Sequence, residues 1–179
     1  KSKSLLWLMA AIMIVFCIQK MNREAYQLWY IALSAPAIVF GIAGSFIEGL
    51  GGLGGSLVKY LSSRRINIVL SILLGLASLA LSVGSNLWIT IAAQVLIAVV
   101  SGALLFHFTA QIQHQLPSRY RTGSGSVINA VGRIILMPLT FVFGVLSNQS
   151  VFIAGWMLVV LSGLAVFVQL KLDEQASPQ

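Results

Sequence analysis

Five stretches of about twenty residues, at 31–50, 66–85, 87–106, 127–147 and 150–170, carry no more than one charged side chain apiece. A helix rises 1.5 Å per residue, so about twenty apolar residues match the ~30 Å hydrocarbon core of a bilayer. A sixth run, 5–18, is too short by itself. It reaches full length by continuing through Gln19 to Tyr30, and that extension holds no Pro or Gly to break a helix. The expected fold is an all-α integral membrane protein, one six-helix domain over 1–172. Its spans lie at about 4–32, 36–61, 66–85, 87–114, 123–147 and 150–170, and a cytoplasmic tail follows at 173–179.

Composition agrees. Hydrophobic residues make up 58% of the chain and charged ones 8%, against about 25% charged in soluble domains. That excludes an ordinary soluble enzyme, a disordered chain and a nucleic-acid-binding domain. One cysteine, Cys17, forms no internal disulfide. The chain opens on Lys1 rather than Met and is expected to be a piece of a longer one.

Turn chemistry separates the runs: Ser34-Ala35-Pro36, Ser62-Ser63-Arg64-Arg65, Gly84-Ser85-Asn86, Pro117-Ser118-Arg119 and Ser147-Asn148-Gln149-Ser150. With six spans both termini share one side. That side collects Lys1, Lys3, Lys59, Arg64, Arg65, Arg119, Arg121 and Lys171, whereas the loops near 33–36, 84–87 and 147–150 hold no Lys or Arg. Basic residues gather in cytoplasmic loops, so both termini are expected to be cytoplasmic, and the net charge of +7 needs no nucleic acid to explain it.

The spans differ in character. The first carries Gln19, Asn22, Arg23, Tyr26 and Tyr30, the second Glu48, and the third no charge. The fourth carries Gln94, His107 and Gln111, the fifth Asn129 and Arg133, and the sixth no charge. The order polar, polar, apolar appears twice, as two inverted three-helix repeats would give, with the third helix of each toward lipid.

Several segments, in order, carry a resemblance. Gln27-Leu28-Trp29-Tyr30 leads through Ser34-Ala35-Pro36 to Phe40-Gly41. Gly51 to Arg65 reads GGLGGSLVKYLSSRR, a glycine-rich helix end with a basic loop. Leu116-Pro117-Ser118-Arg119-Tyr120-Arg121-Thr122-Gly123 precedes a helix with Arg133, Pro138-Leu139 and Gly144. Together these resemble the carboxy-terminal six-helix half of a bacterial major facilitator superfamily transporter. The resemblance implies secondary active transport of a small organic solute across the inner membrane by alternating access, with no cofactor. It implies two halves rocking about the solute, so the partner is the amino-terminal half or a second copy. Lys59, Arg64, Arg65, Arg119 and Arg121 become candidates for cytoplasmic gating loops. No acidic residue stands beside Arg64 and Arg65, a departure from the family's gating motif.

Residue chemistry adds candidates. Glu48 and Arg133 lie roughly 18 Å and 15 Å into their helices from opposite sides, which puts both near the midplane. They are expected either to respond to proton or substrate as a pair or to form a structural ion pair. Gln19, Asn22, Arg23, Tyr26 and Tyr30 fall on one helix face, suited to a hydrated cavity or, for the aromatics, to the interfacial belt, where Trp29 is expected. Lys20 and Glu24 can pair at i, i+4. His107, Gln111 and His114 share a face, and His107 is the deeper histidine and a candidate proton carrier. Glu48 and His107 make protons the expected coupling ion. Gly41, Gly44, Gly51, Gly52, Gly54 and Gly55 are expected to let helices approach closely. No metal site is expected. An intramembrane serine protease is excluded because Thr122-Gly123-Ser124-Gly125 is not Gly-x-Ser-Gly and no His follows in the sixth span. A non-transporting scaffold or sensor and an oligomeric channel remain as other classes.

Overall fold

The computed structural model describes residues 2–56, 64–115 and 118–174, with side chains described at all of these except 2–3, 64 and 118–122. The helices are α1 (Ser2–Ala32), α2 (Ala37–Leu53), α3 (Arg64–Val83), α4 (Leu87–Gln115), α5 (Ser118–Ser147) and α6 (Val151–Glu174). All six are long and apolar enough to cross a membrane, and no strand occurs among the described residues. The chain is an all-α integral membrane protein.

Three boundaries differ from the sequence reading by more than two residues. Regular α2 stops at Leu53, in a run of four glycines that weakens helix, and 57–61 of the expected span lie outside the described residues. α5 begins at Ser118 rather than 123. α6 runs on to Glu174, helped by a Lys171–Glu174 ion pair at 2.8 Å, and so absorbs the start of the expected tail.

The turns follow local chemistry. α1 ends in a Schellman motif: Ala35 N–H donates to the Tyr30 carbonyl and Ser34 N–H to that of Ile31. Ser34 sits at the left-handed position with φ 53°, where glycine is usual. Pro36 then starts α2. Asn86 caps α4, its Oδ1 accepting from Trp88 N at 2.9 Å and Ile89 N at 3.3 Å. Ser150 Oγ caps α6 by accepting from Phe152 N at 3.2 Å.

The widest helix interface joins α3 to α6, followed by α1 with α4 and α6, then α4 with α2 and α3. Exchanging α1 with α4, α2 with α5 and α3 with α6 maps these pairings onto one another. α1–α6 becomes α3–α4, α1–α2 becomes α4–α5, and α2–α4 becomes α1–α5. Among the described residues, α5–α6 alone lacks its counterpart. The alternation of polar and apolar spans in the sequence thus has a packing equivalent. α1 and α4 are the most buried helices, α2 and α5 the least. The least covered elements are therefore the second helices of the units, not the apolar third ones.

Trp29 does not sit in an interfacial belt. It is fully buried, and its indole Nε1 donates to the Leu81 carbonyl at 3.1 Å. That carbonyl belongs to the last turn of α3, where no intrahelical donor remains. The glycines divide likewise. A Cβ at Gly54 would come within 2.6 Å of Ala103 N, and one at Gly102 within 2.5 Å of the Gly51 carbonyl, so α2 and α4 touch backbone to backbone. Gly44 packs on Tyr26 and Gly55 on Phe106, but Gly41 and Gly52 face open space.

Candidate functional site

One face of α1 meets α2 and α4 in a cavity of about 270 Å³, lined by Gln19, Asn22, Arg23, Ile47, Glu48, Gly51, Gly52, Ala98 and Phe106. The α1 face is polar because Gln19, Asn22 and Arg23 recur at helical spacing. On the α2 side Gly51 and Gly52 stand beside Ile47 and Glu48, so backbone forms part of the wall. Arg23 lies about 14 Å from the end of α1 and Glu48 about 16 Å from the start of α2. Both helix ends meet at the Leu33–Pro36 turn, so the two residues share a depth.

Glu48 accepts a hydrogen bond from Arg23 Nε, closing an ion pair between α1 and α2. The expected partner, Arg133, is elsewhere. It stands on α5, and α2 and α5 make no contact among the described residues. Arg133 is exposed, and no acidic side chain pairs with it among the described residues. The sequence arithmetic puts Glu48 and Arg133 at similar depths, but their helices face different neighbours. The Arg23 and Glu48 side chains are 51% and 46% exposed. In water such a pair contributes about 0–1 kcal/mol, so it is no core staple of this chain. Lys20 does not reach Glu24. Its ammonium lies 5.9 Å from the centre of the Phe16 ring, and Glu24 has no ion pair among the described residues.

Behind the cavity, α1 is tied to α4 through Gln94, which is fully buried. Asn22 Nδ2 donates to the Gln94 carbonyl at 3.0 Å. The Tyr30 hydroxyl donates to Gln94 Oε1, and Gln94 Nε2 donates to the Tyr26 carbonyl at 3.3 Å. Asn22 Oδ1 has no partner. Tyr26 turns its ring edge-on to Tyr30 at 5.6 Å and accepts from Gln27 Nε2 at 3.1 Å. The polar face of α1 is therefore divided: Gln19, Asn22 and Arg23 line the cavity, while Tyr26 and Tyr30 pack the wall behind it.

His107 belongs to a second cluster. Asn67 Nδ2 of α3 and Gln111 Nε2 approach its Nε2 at 3.2 Å and 2.8 Å. Two amide side chains thus converge on one ring nitrogen and fix the ring between α3 and α4. Beside this cluster, a crevice of about 260 Å³ runs between α1, α3, α4 and α6, lined by Ser4, Asn67, Gln111, Gln115, Gln169 and Asp173 among others. His114 is exposed. Arg65 is exposed at the start of α3. Arg64, Arg119 and Arg121 stand in the first turns of α3 and α5 with side chains outside the described set, and Lys59 lies outside it altogether.

Gln94 and Asn67 carry more of this arrangement than the sequence reading assigned them. A lone Gln amid apolar residues is a signal in itself, since polar side chains in spans bond across helices. Asn67 opens a helix otherwise read as apolar. Comparison with protein-family models, curated proteins and solved structures gives no match.

Proposed function

We propose that this chain is the carboxy-terminal half of a secondary transporter of the major facilitator kind. It moves a small organic solute across the inner membrane by alternating access, with both termini cytoplasmic and protons as the coupling ion. One observation carries this reading. The polar cavity of Gln19, Asn22, Arg23 and Glu48 lies at mid-depth among helices, of which α2 leaves most of its surface uncovered. A binding site with one wall missing is what half of a rocking-bundle transporter presents.

The uncovered surface supports a partner. Arg133 is exposed about 21 Å from the end of α5. A charge at that depth costs about 2.5–3.5 kcal/mol or more against lipid, so water or a second half must cover it. The basic residues support the orientation. Arg64, Arg65, Arg119 and Arg121 sit at helix N-termini, where the macrodipole disfavours cations. Helix stability does not explain them there, and retention on the cytoplasmic side does.

The test is solute uptake by the whole gene product in proteoliposomes under an imposed proton gradient. Accumulation that collapses with a protonophore, and that is lost in Arg23→Gln/Glu48→Gln protein of normal folded yield, supports the reading. Folded protein that moves no solute in either direction overturns it.

A further inference from the structure

We propose that the mid-depth cavity takes a carboxylate-bearing solute, with Arg23 as its anchor and with Glu48 neutralised by an ammonium group of the same solute or by a proton. This rests on the transport reading and names the class of solute. The hydrogen bond to Glu48 leaves from Arg23 Nε, so the terminal Nη1 and Nη2 donors remain for a ligand. Paired guanidinium donors match the two oxygens of a carboxylate. A carboxylate docked there puts a second negative charge beside Glu48. The rest of the lining, Ile47, Ala98, Phe106 and glycine backbone, brings no cation to balance it.

The two members of the pair differ in what they can give up. Arg23 keeps its charge at any working pH, whereas Glu48 can take a proton. A cationic solute would occupy Glu48 and strand Arg23, with no chemical remedy. An anionic solute occupies Arg23, and the charge left on Glu48 is removed by a proton: carboxylate plus proton gives carboxylic acid. A zwitterion replaces both partners at once. Asn22 lines the same wall, and its buried Oδ1 has no hydrogen-bond partner. The other charged or titratable groups near the pair on α1 are Tyr26, one turn away, and Lys20, which turns to Phe16; α4 contributes none to the lining. The volume, about 270 Å³, lies just under the range for drug-sized ligands and fits a solute of metabolite size.

The experiment uses matched triplets: leucine, 4-methylpentanoate and leucinamide, then phenylalanine, 3-phenylpropanoate and phenylalaninamide. Radiolabelled uptake of each is measured with the whole gene product in proteoliposomes, and protein-free liposomes subtract passive entry of undissociated acid. The proposal expects uptake of the acid or the zwitterion but not of the amide, with at least a tenfold loss in Arg23→Gln. If the positive charge is the solute's own, uptake stays flat between pH 5.5 and 7.5. If it is a proton, uptake rises as pH falls, and Glu48→Gln removes that dependence. The double variant Arg23→Gln/Glu48→Gln strands no charge, so its normal folded yield with lost carboxylate uptake separates binding from folding. Uptake of amides or neutral solutes without carboxylates, carboxylate uptake unchanged in Arg23→Gln, or uptake of no probe carrying a carboxylate each overturns the proposal. The first of these leaves the transport reading standing, and absence of gradient-driven movement of any solute removes both.

Discussion

Replacing Gln94 tests the polar knot that holds α1 to α4. Gln94→Met keeps chain length and volume but removes both side-chain bonds. The Tyr30 hydroxyl, fully buried, loses its acceptor, and the Tyr26 carbonyl loses a secondary donor at 3.3 Å. An orphaned buried donor costs about 1–3 kcal/mol, while interhelical hydrogen bonds in membranes average about 0.6 kcal/mol and reach about 1.7. The expected loss is therefore about 1–2 kcal/mol. Tyr30→Phe alone leaves Gln94 Oε1 unpaired and should cost about 1 kcal/mol or more. The double variant leaves neither group stranded, so it should cost less than the sum of the singles by about 1 kcal/mol. Asn22 is an internal control, because its bond goes to the Gln94 main-chain carbonyl and survives the substitution. The assay is reversible unfolding in mixed detergent micelles followed by tryptophan fluorescence. A cost below about 0.5 kcal/mol for Gln94→Met, with additive singles, would refute the knot.

Ser34→Gly should stabilise the chain by up to ~1–2 kcal/mol, because Ser34 holds a left-handed conformation that glycine adopts freely; a lowered unfolding midpoint would count against the Schellman ending of α1. Gly54→Leu and Gly102→Leu should each abolish folded yield by separating α2 from α4, whereas Gly52→Ala, facing open space, should leave yield unchanged in size-exclusion chromatography. In a Cys17→Ser background, single cysteines at exposed Ser85 and Gln149 should react with an impermeant thiol reagent in intact cells while those at Arg65 and His114 stay protected; the reverse pattern would invert the topology.

How far the sequence carried this structure depends on which coordinate is asked for. Depth requires only counting at 1.5 Å per residue. The six helices and the turns at Ser34–Pro36 and Asn86 were legible for that reason. Azimuth requires knowing which helices touch, and a 100° turn per residue makes it unforgiving. Arg133 lies on a helix that makes no contact with α2 among the described residues. Trp29 has an interfacial depth and points inward, toward a carbonyl left over at the end of α3. Nothing in the period of α1 announces that carbonyl. The partner of Glu48, by contrast, was within reach of the sequence. α1 and α2 are joined by a tight turn, so they run antiparallel, and residues equally far from the turn come to one level. Arg23 stands about 17 Å before Ser34 and Glu48 about 21 Å after it. Arg23 also lies on the polar face that marks the cavity. A charge one hairpin away, at equal depth and on the marked face, is a stronger candidate than one three helices further along the chain, because a short loop leaves two spans little choice but to lie side by side.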